Sequence, residues 1–286
     1  MLSASGRVMT PSRFSEPESH PLSEREVARA WDKNADSWAE QVRQGWDIYR
    51  EVYNNPAFLE FIGASIGDLA GKSVLDAGCG EGYNTRILAR RGAKMTGADI
   101  SARMIDLARQ EEHSDPLGIH YEVNSFSDLS VFAESSFDAA VSFMALMDGP
   151  DFPGAMRAIG RVLRPGGTLV FSLIHPCFMT KGFNWIRDES GKETALTVAR
   201  YFDDEPWIER WKFAKAPVSP EAEPFAVPRF DRTLSFYLNT LIESGFALGR
   251  IGEPRPSEAA CRAHPFLRRL REHAPLFFYV SAQKPG

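Results

Sequence analysis

Residues 73 to 82 read Ser-Val-Leu-Asp-Ala-Gly-Cys-Gly-Glu-Gly, and the next apolar run ends against Asp99. A short strand that enters a three-glycine turn and leaves it as a helix is the opening unit of a parallel α/β sheet. Val74 and Leu75 suit a buried strand, while Gly78, Gly80 and Gly82 let the backbone approach a ligand that any Cβ would push away. In open α/β sheets ligands lie outside the carboxyl ends of the strands, where this turn sits, so the turn and Asp99 together suggest a nucleoside site. A dinucleotide turn follows Gly-x-Gly-x-x-Gly, and Tyr83 stands where its third glycine would be. Asp76 and Glu81 place two carboxylates beside the turn, which favours an ammonium or sulfonium ligand and repels a pyrophosphate.

Strand and helix signals alternate after the turn. Strands are expected at 73–77, 94–98, 119–123, 137–143 and 168–174, with helices at 82–91, 101–112 and 155–163 between them. Pro165-Gly166-Gly167 is expected to stop the last of these helices and turn the chain into the fifth strand. At Pro176 the rhythm breaks, and residues 176–230 mix proline, charge and aromatics with no dominant period. It resumes with a helix over 232–244, ended by Gly245, and strands near 246–251 and 276–282. Upstream, Ser23 caps a helix with Glu26 at its third position, and Pro56 opens another at 57–66. The expected organisation is therefore a disordered tail at 1–22, N-terminal helices at 23–70, a core formed by 71–175 and 231–286, and an aromatic-rich cap at 176–230.

The chain has 286 residues, 43% of them apolar, and a net charge of −5, so it can bury a substantial core and exerts no general pull on a nucleic-acid backbone. Arg262, Arg268, Arg269 and Arg271 form a local basic cluster read as a solvated helix face. Cys79, Cys177 and Cys261 are widely spaced, and no zinc spacing occurs among the six histidines, so no metal is expected. The first 20 residues lack the apolar stretch of a signal peptide, and no run approaches a membrane span. A cytoplasmic protein is the expectation, as monomer or homodimer.

Four motifs in order carry a family resemblance: Val-Leu-Asp-Ala-Gly-Cys-Gly-Glu-Gly at 74–82, Gly-Ala-Asp-Ile-Ser at 97–101, Ser-Phe-Asp-Ala-Ala-Val-Ser at 136–142 and Arg-Val-Leu-Arg-Pro-Gly-Gly-Thr-Leu at 161–169. Across 72–174, and more weakly across 230–284, the chain resembles the class I S-adenosylmethionine-dependent methyltransferases of small-molecule type. The resemblance implies a Rossmann-like, seven-stranded, mostly parallel sheet with one antiparallel edge strand, helices on both faces, and the cap inserted after the fifth strand. It implies S-adenosyl-L-methionine as cofactor and S-adenosyl-L-homocysteine as its product. Asp76, Gly78, Cys79 and Gly80 would line the methionine half, and Asp99 would accept both ribose hydroxyls or, alternatively, cap the helix after Ser101. Ile100 and Met104 would face the adenine. Where family members commonly hold an acid for the adenine amino group, this chain has Ser125 followed by Phe126, so either the serine hydroxyl or the neighbouring Asp128 would substitute. Phe143 would pass close to the sulfonium; Met144 and Met147 either do the same or pack the core. In related enzymes N-terminal helices cover the cofactor, which makes Trp38 and Arg50 candidates for its carboxylate end.

Methyl transfer is an in-line displacement whose leaving group the sulfonium supplies, so the protein mainly aligns and desolvates. A hydroxyl or protonated amine acceptor needs a base. His175, within Ser172-Leu-Ile-His-Pro-Cys-Phe178, is one candidate, with a purely structural role at the turn before Pro176 as its alternative. Asp231, in an Asp-Arg-Thr-Leu run where the related subgroup has His-Arg-Thr-Leu, is either a second base or a cap. The expected activity is methylation of an O or N atom of a small, partly apolar metabolite held under the cap. The alternatives are an RNA methyltransferase, against which the charge and the absence of an Asn-Pro-Pro-Tyr-like motif stand, and a cofactor-binding but inactive interaction module.

Overall fold

The computed structural model describes residues 22–213 and 224–286. Five parallel strands form its centre: β1 (Ser73–Ala77), β2 (Lys94–Asp99), β3 (His120–Val123), β4 (Phe137–Phe143) and β5 (Leu163–Ile174). The insertion contributes β6 (Asn184–Arg187), β7 (Glu193–Thr197), β8 (Trp207–Trp211) and β9 (Phe225–Arg229), and the chain ends with β10 (Ala247–Gly252) and β11 (Phe277–Gln283). The main sheet has seven strands in the order β10-β11-β5-β4-β1-β2-β3. Six run the same way; β11 is antiparallel to both neighbours and lies between β5 and β10. The sheet leaves β1 in one direction toward β2 and β3 and returns on its other side at β4, so the switch point lies between β1 and β4.

The strands read as continuous apolar runs because both faces are covered. Val74, Val141, Val170 and Tyr279 face a core shared with Phe58 and Ile62 of α2 (Asn55–Ile66), Leu88 of α3 (Tyr83–Ala89) and Ile105 of α4 (Ala102–Ser114). Leu75, Ala140, Leu169 and Val280 face the opposite core, with Met156 and Ile159 of α5 (Phe152–Val162) and Leu241 of α6 (Leu234–Glu243). Each buried leucine or isoleucine contributes roughly 1.5–3 kcal/mol. The fifth strand starts earlier than the proline-glycine run suggested. Leu163 already pairs with Phe137 and Thr168 pairs with Ala139, so residues 164–167 form a bulge inside β5, with Gly166 at φ +79°. α5 likewise starts at Phe152, because the Asp151 side chain accepts the Gly154 N–H.

α1 (Glu24–Arg43) has the expected capping box, with Ser23 and Glu26 bonding each other's backbone. Leu22, placed by sequence at the end of a disordered tail, is buried with Val27 and Phe230: it is the outer half of a hydrophobic staple that fixes the start of α1. The rest of that tail, 1–21, lies outside the described residues. α1 packs on the outside of α4, where Ala35 and Ala39 meet Met104 and Leu107. A π-helical turn over Arg50–Asn54 leads into α2. The segment after β5 forms two antiparallel hairpins, β6–β7 and β8–β9, and the second leans against α1, Asn34 Nδ2 donating to Ala226 O at 3.1 Å. Among the described residues no helix is long and apolar enough to cross a membrane.

Candidate active site

The glycine turn after β1 is tied to the end of β2 by its own amides. Gly78 N and Cys79 N donate to Ala98 O at 2.8 and 3.1 Å, and Gly80 N donates to Asp99 Oδ2 at 2.9 Å. Those N–H groups are engaged inside the protein, unlike the free amides of a phosphate cradle. A Cβ at Gly78, whose φ is +82°, would overlap that of Ala145, whereas Gly80, at φ +55°, faces open space. Asp99 is thus held by two backbone amides, its Oδ1 taking the Ser101 N–H at 2.9 Å. Both readings of Asp99 meet here, since its carboxylate orders the turn and the helix start and still lines the cavity beside them.

Three carboxylates converge there. Asp76 is buried, with Oδ2 accepting Thr85 Oγ1 at 2.7 Å and Oδ1 without a partner; Glu81 is buried with Oε1 unpartnered among the described residues. Burial raises Asp76 to about 7, the Thr85 hydrogen bond opposing and the charges of Asp99 and Glu81 reinforcing the shift. Burial also raises Glu81, Asp99 and the Cys79 thiol. Orphaned, mutually repelling carboxylate oxygens beside an open glycine fit the ammonium and sulfonium of S-adenosylmethionine. Arg50 lines the same end: Glu51 Oε1 takes its Nε and one terminal nitrogen at 3.2 and 3.1 Å, and its guanidinium lies 4.3 Å from the centre of the Tyr83 ring.

Ile100, Met104, Ser125 and Phe126 line the neighbouring part of the cavity. Asp128 does not: it is exposed and accepts from Ser130 Oγ, which corrects the expectation that it could stand in for the missing acid. The carboxylate beside Ser125 comes instead from Glu24, on the first turn of α1. Phe143 is buried and meets Phe58 edge-on at 4.8 Å. Met144 follows it in the left-handed region at φ +56°, a strained position that its N–H bond to Ser172 O helps hold. Both Met144 and Met147 line the cavity. Trp38 also lines it, set among Trp31, Trp211, Phe213 and Phe225 at ring distances of 5.2–5.6 Å.

His175 and Asp231, the two candidate bases, also do not line the cavity. The His175 ring is buried between Phe178 and Phe278; its Nε2 meets Glu253 Oε1 at 2.8 Å and its Nδ1 accepts the Cys177 N–H. Both nitrogens are engaged in fixing the turn after β5 and the ring lies outside the cavity lining, an arrangement that fits the structural alternative and not the expected base. Asp231 is held by Arg229 Nε at 2.7 Å and Trp207 Nε1 at 3.1 Å, which corrects its assignment as a base in the same way.

Sequence reasoning missed Glu24, Arg229 and Asp148. Arg229 is buried, bonded to Glu209, Asp231 and Met179 O, and forms part of the cavity wall. Asp148 ends the 3₁₀ turn after β4, where its N–H donates to Ala145 O at 2.9 Å, and it lines the cavity with a side chain that has no hydrogen-bond partner among the described residues. Burial pushes its carboxyl well above the usual range, Glu209 adds to this, and Arg229 opposes it. Only its position four residues past Met144 marked it in the sequence. The cavity encloses about 610 Å³ and continues from the glycine turn to Trp185, Trp207 and Trp211 of the insertion.

A family model described as a methyltransferase domain matches residues 75–171. A ubiquinone biosynthesis O-methyltransferase from Xanthomonas oryzae pv. oryzae is 36% identical over 121 residues, 42% of this chain and 50% of the relative. The chain spans about half the length of the curated relatives it matches. Two crystal structures cover more: an S-adenosylmethionine-dependent methyltransferase from Mesorhizobium loti, 29% identical with TM-score 0.62 over 80% of this chain and 96% of the other, and one from Listeria monocytogenes, 26% identical with TM-score 0.64 over 82% and 100%. With the motif order, the strand order and the carboxylate-lined glycine turn on the same β1–β4 switch point, the chain carries a methyltransferase domain over residues 75–171 within the fold of the class I S-adenosylmethionine-dependent methyltransferases.

Proposed function

We propose that this protein methylates an O or N atom of a small, partly apolar metabolite. The observation that carries the reading is the single cavity running from Asp76, Gly80 and Asp99 to the aromatics of the β6–β9 insertion. A concave site whose far end sets rings such as Trp185, Trp207 and Trp211 beside polar groups that can orient a ligand suits a small molecule. The O-methyltransferase relatives favour oxygen as the acceptor atom. The net charge of −5 weighs against an RNA substrate.

Bound S-adenosylmethionine supplies an activated methyl carbon and its own leaving group. The protein's part is to neutralise the cationic end with Asp76 and Glu81, to hold the ribose at Asp99, and to exclude water with Phe143, Trp38 and the insertion. Asp148 is the group on the acceptor side placed to take a proton, since its side chain has no hydrogen-bond partner among the described residues and burial raises its basicity. Phe143 and Met144 lie between it and the glycine turn in sequence. Arg229 holds Glu209 in the cavity wall and is itself braced by Asp231 behind it.

Incubating the protein with a metabolite extract and S-adenosylmethionine labelled on the methyl group tests the reading. One labelled small molecule should form with the wild type and be lost with Asp99→Ala. Label transfer confined to added RNA would overturn the small-molecule assignment, and S-adenosylhomocysteine binding without transfer to any acceptor would favour an inactive module.

A further inference from the structure

We propose that Glu24, carried on the N-terminal helix, is the residue that recognises the adenine amino group of the cofactor, in place of an acid on the loop after β3. The inference rests on the cofactor assignment made above. The loop after β3 offers hydroxyls at this point: Ser125 and Ser127 each direct Oγ to the same oxygen of Glu24, Oε1, at 2.9 Å for Ser125. Glu24 Oε2 has no partner among the described residues, and Glu24 lines the cavity together with Ile100, Ser125 and Phe126. One carboxylate oxygen is thus fixed by two donors while the other is left to accept from a ligand.

The amino group of adenine is a donor and needs an acceptor. A serine hydroxyl that donates to Glu24 keeps its lone pairs, but Ser125 Oγ already takes the Ser127 N–H, and a neutral hydroxyl is a weaker acceptor than the charged oxygen left open on Glu24. The helix is anchored to hold this position. Leu22 and Val27 staple its start against Phe230, the Ser23–Glu26 capping box fixes its first turn, and about two turns further on Asp32 Oδ1 accepts from Ser101 Oγ at 2.7 Å and Arg103 N at 3.0 Å at the start of α4. A carboxylate held by these contacts on both sides loses little freedom when it binds.

Calorimetry on the full chain with S-adenosylhomocysteine and with its inosine counterpart, S-inosylhomocysteine, separates recognition of the amino group from general support of the fold. The wild type should prefer the adenosyl ligand by about 10- to 100-fold, the range for a charge-assisted hydrogen bond. Glu24→Ala should lower that preference to within about threefold, and Glu24→Gln, whose amide can also donate to the inosine oxygen, should lower it while leaving the inosyl ligand bound as well as or better than in wild type. Circular dichroism on both variants, with Glu24→Gln close in shape, keeps loss of folding apart from loss of recognition. Equal weakening of both ligands in a folded variant would overturn the proposal, because Glu24 would then only brace the loop. If the wild type bound neither ligand, the cofactor assignment itself would fail, an outcome distinct from an unchanged preference in Glu24→Ala, which would refute Glu24 alone.

Discussion

Asp99 Oδ2 accepts the Gly80 N–H at 2.9 Å, so the last residue of one strand holds the middle of the glycine turn that follows its neighbour. One carboxylate therefore shapes the turn and lines the cavity, where the proposed reading has it accept from the cofactor ribose. Asp99→Ala removes both, and S-adenosylhomocysteine affinity should fall by about 1.5–3 kcal/mol. Asp99→Asn keeps an acceptor for Gly80 but loses the charge, and should fall between the two. Calorimetry reads both; an unchanged affinity in Asp99→Ala would remove Asp99 from the binding site.

Asp76 gives a signature in proton release. Its pKa is near 7 in the folded protein against 3.8 for an ordinary aspartate, chiefly through burial. Between about pH 4 and 7 the folded protein thus holds a proton that the unfolded chain has lost, so this group's contribution to stability declines as pH rises through that window, by up to about 1.4 kcal/mol per unit. An ammonium docking beside it reverses the preference and expels the proton. Titrations of S-adenosylhomocysteine at pH 6.5 in buffers of different ionisation enthalpy should show proton release, lost in Asp76→Asn. The same variant should be more stable than wild type without ligand at pH 7.5. Identical buffer dependence in wild type and variant would contradict the linkage.

Much of this site was legible because its chemistry is local. A strand, a glycine turn and a carboxylate nineteen positions on from Gly80 meet through one pair of parallel strands, and adjacent parallel strands follow from the alternating pattern. Glu24 meets Ser125 across 101 residues and Arg229 meets Met179 across 50, and no periodicity encodes such encounters. The insertion hid its hairpins because β6, β7 and β8 have no wholly buried face to print an alternating pattern, and the buried face of β9, Phe225, Val227 and Arg229, includes a charge. His175 and Asp231 drew attention as polar residues next to strand ends, but a polar residue there can also be the anchor of a turn. Only the partners of the two ring nitrogens distinguish these roles.

Arg229 is an anchor whose loss should be felt throughout the acceptor side. Its buried guanidinium bonds Glu209, Asp231 and the Met179 carbonyl. Replacing it with methionine keeps much of the volume but leaves carboxylates without their cation, a cost of about 3–5 kcal/mol for a buried pair. Arg229→Met should lower the urea midpoint accordingly, and the double variant Arg229→Met, Glu209→Gln should recover part of the loss. No recovery would mean that the guanidinium acts through the carbonyl and packing instead.

His175 separates a structural histidine from a catalytic one by pH. Burial lowers its pKa below 6.5, and the hydrogen bond and charge of Glu253 oppose this without cancelling it. The folded state therefore keeps the ring neutral where the unfolded chain takes up a proton. This contribution to stability is intact above about pH 6.5 and is lost as pH falls through the window between the unfolded and the lower folded value. Wild type should show a declining melting temperature from about pH 6.5 downward, and His175→Gln, which can still bond Glu253, should flatten that part of the profile while losing some stability at pH 8 with the Cys177 bond. Methyl transfer by the variant at pH 8, at a temperature well below its melting point, should stay within about tenfold of wild type, far from the roughly 10²–10⁴-fold loss expected for a missing general base. A loss in that larger range with an unchanged melting profile would return the imidazole to the chemistry.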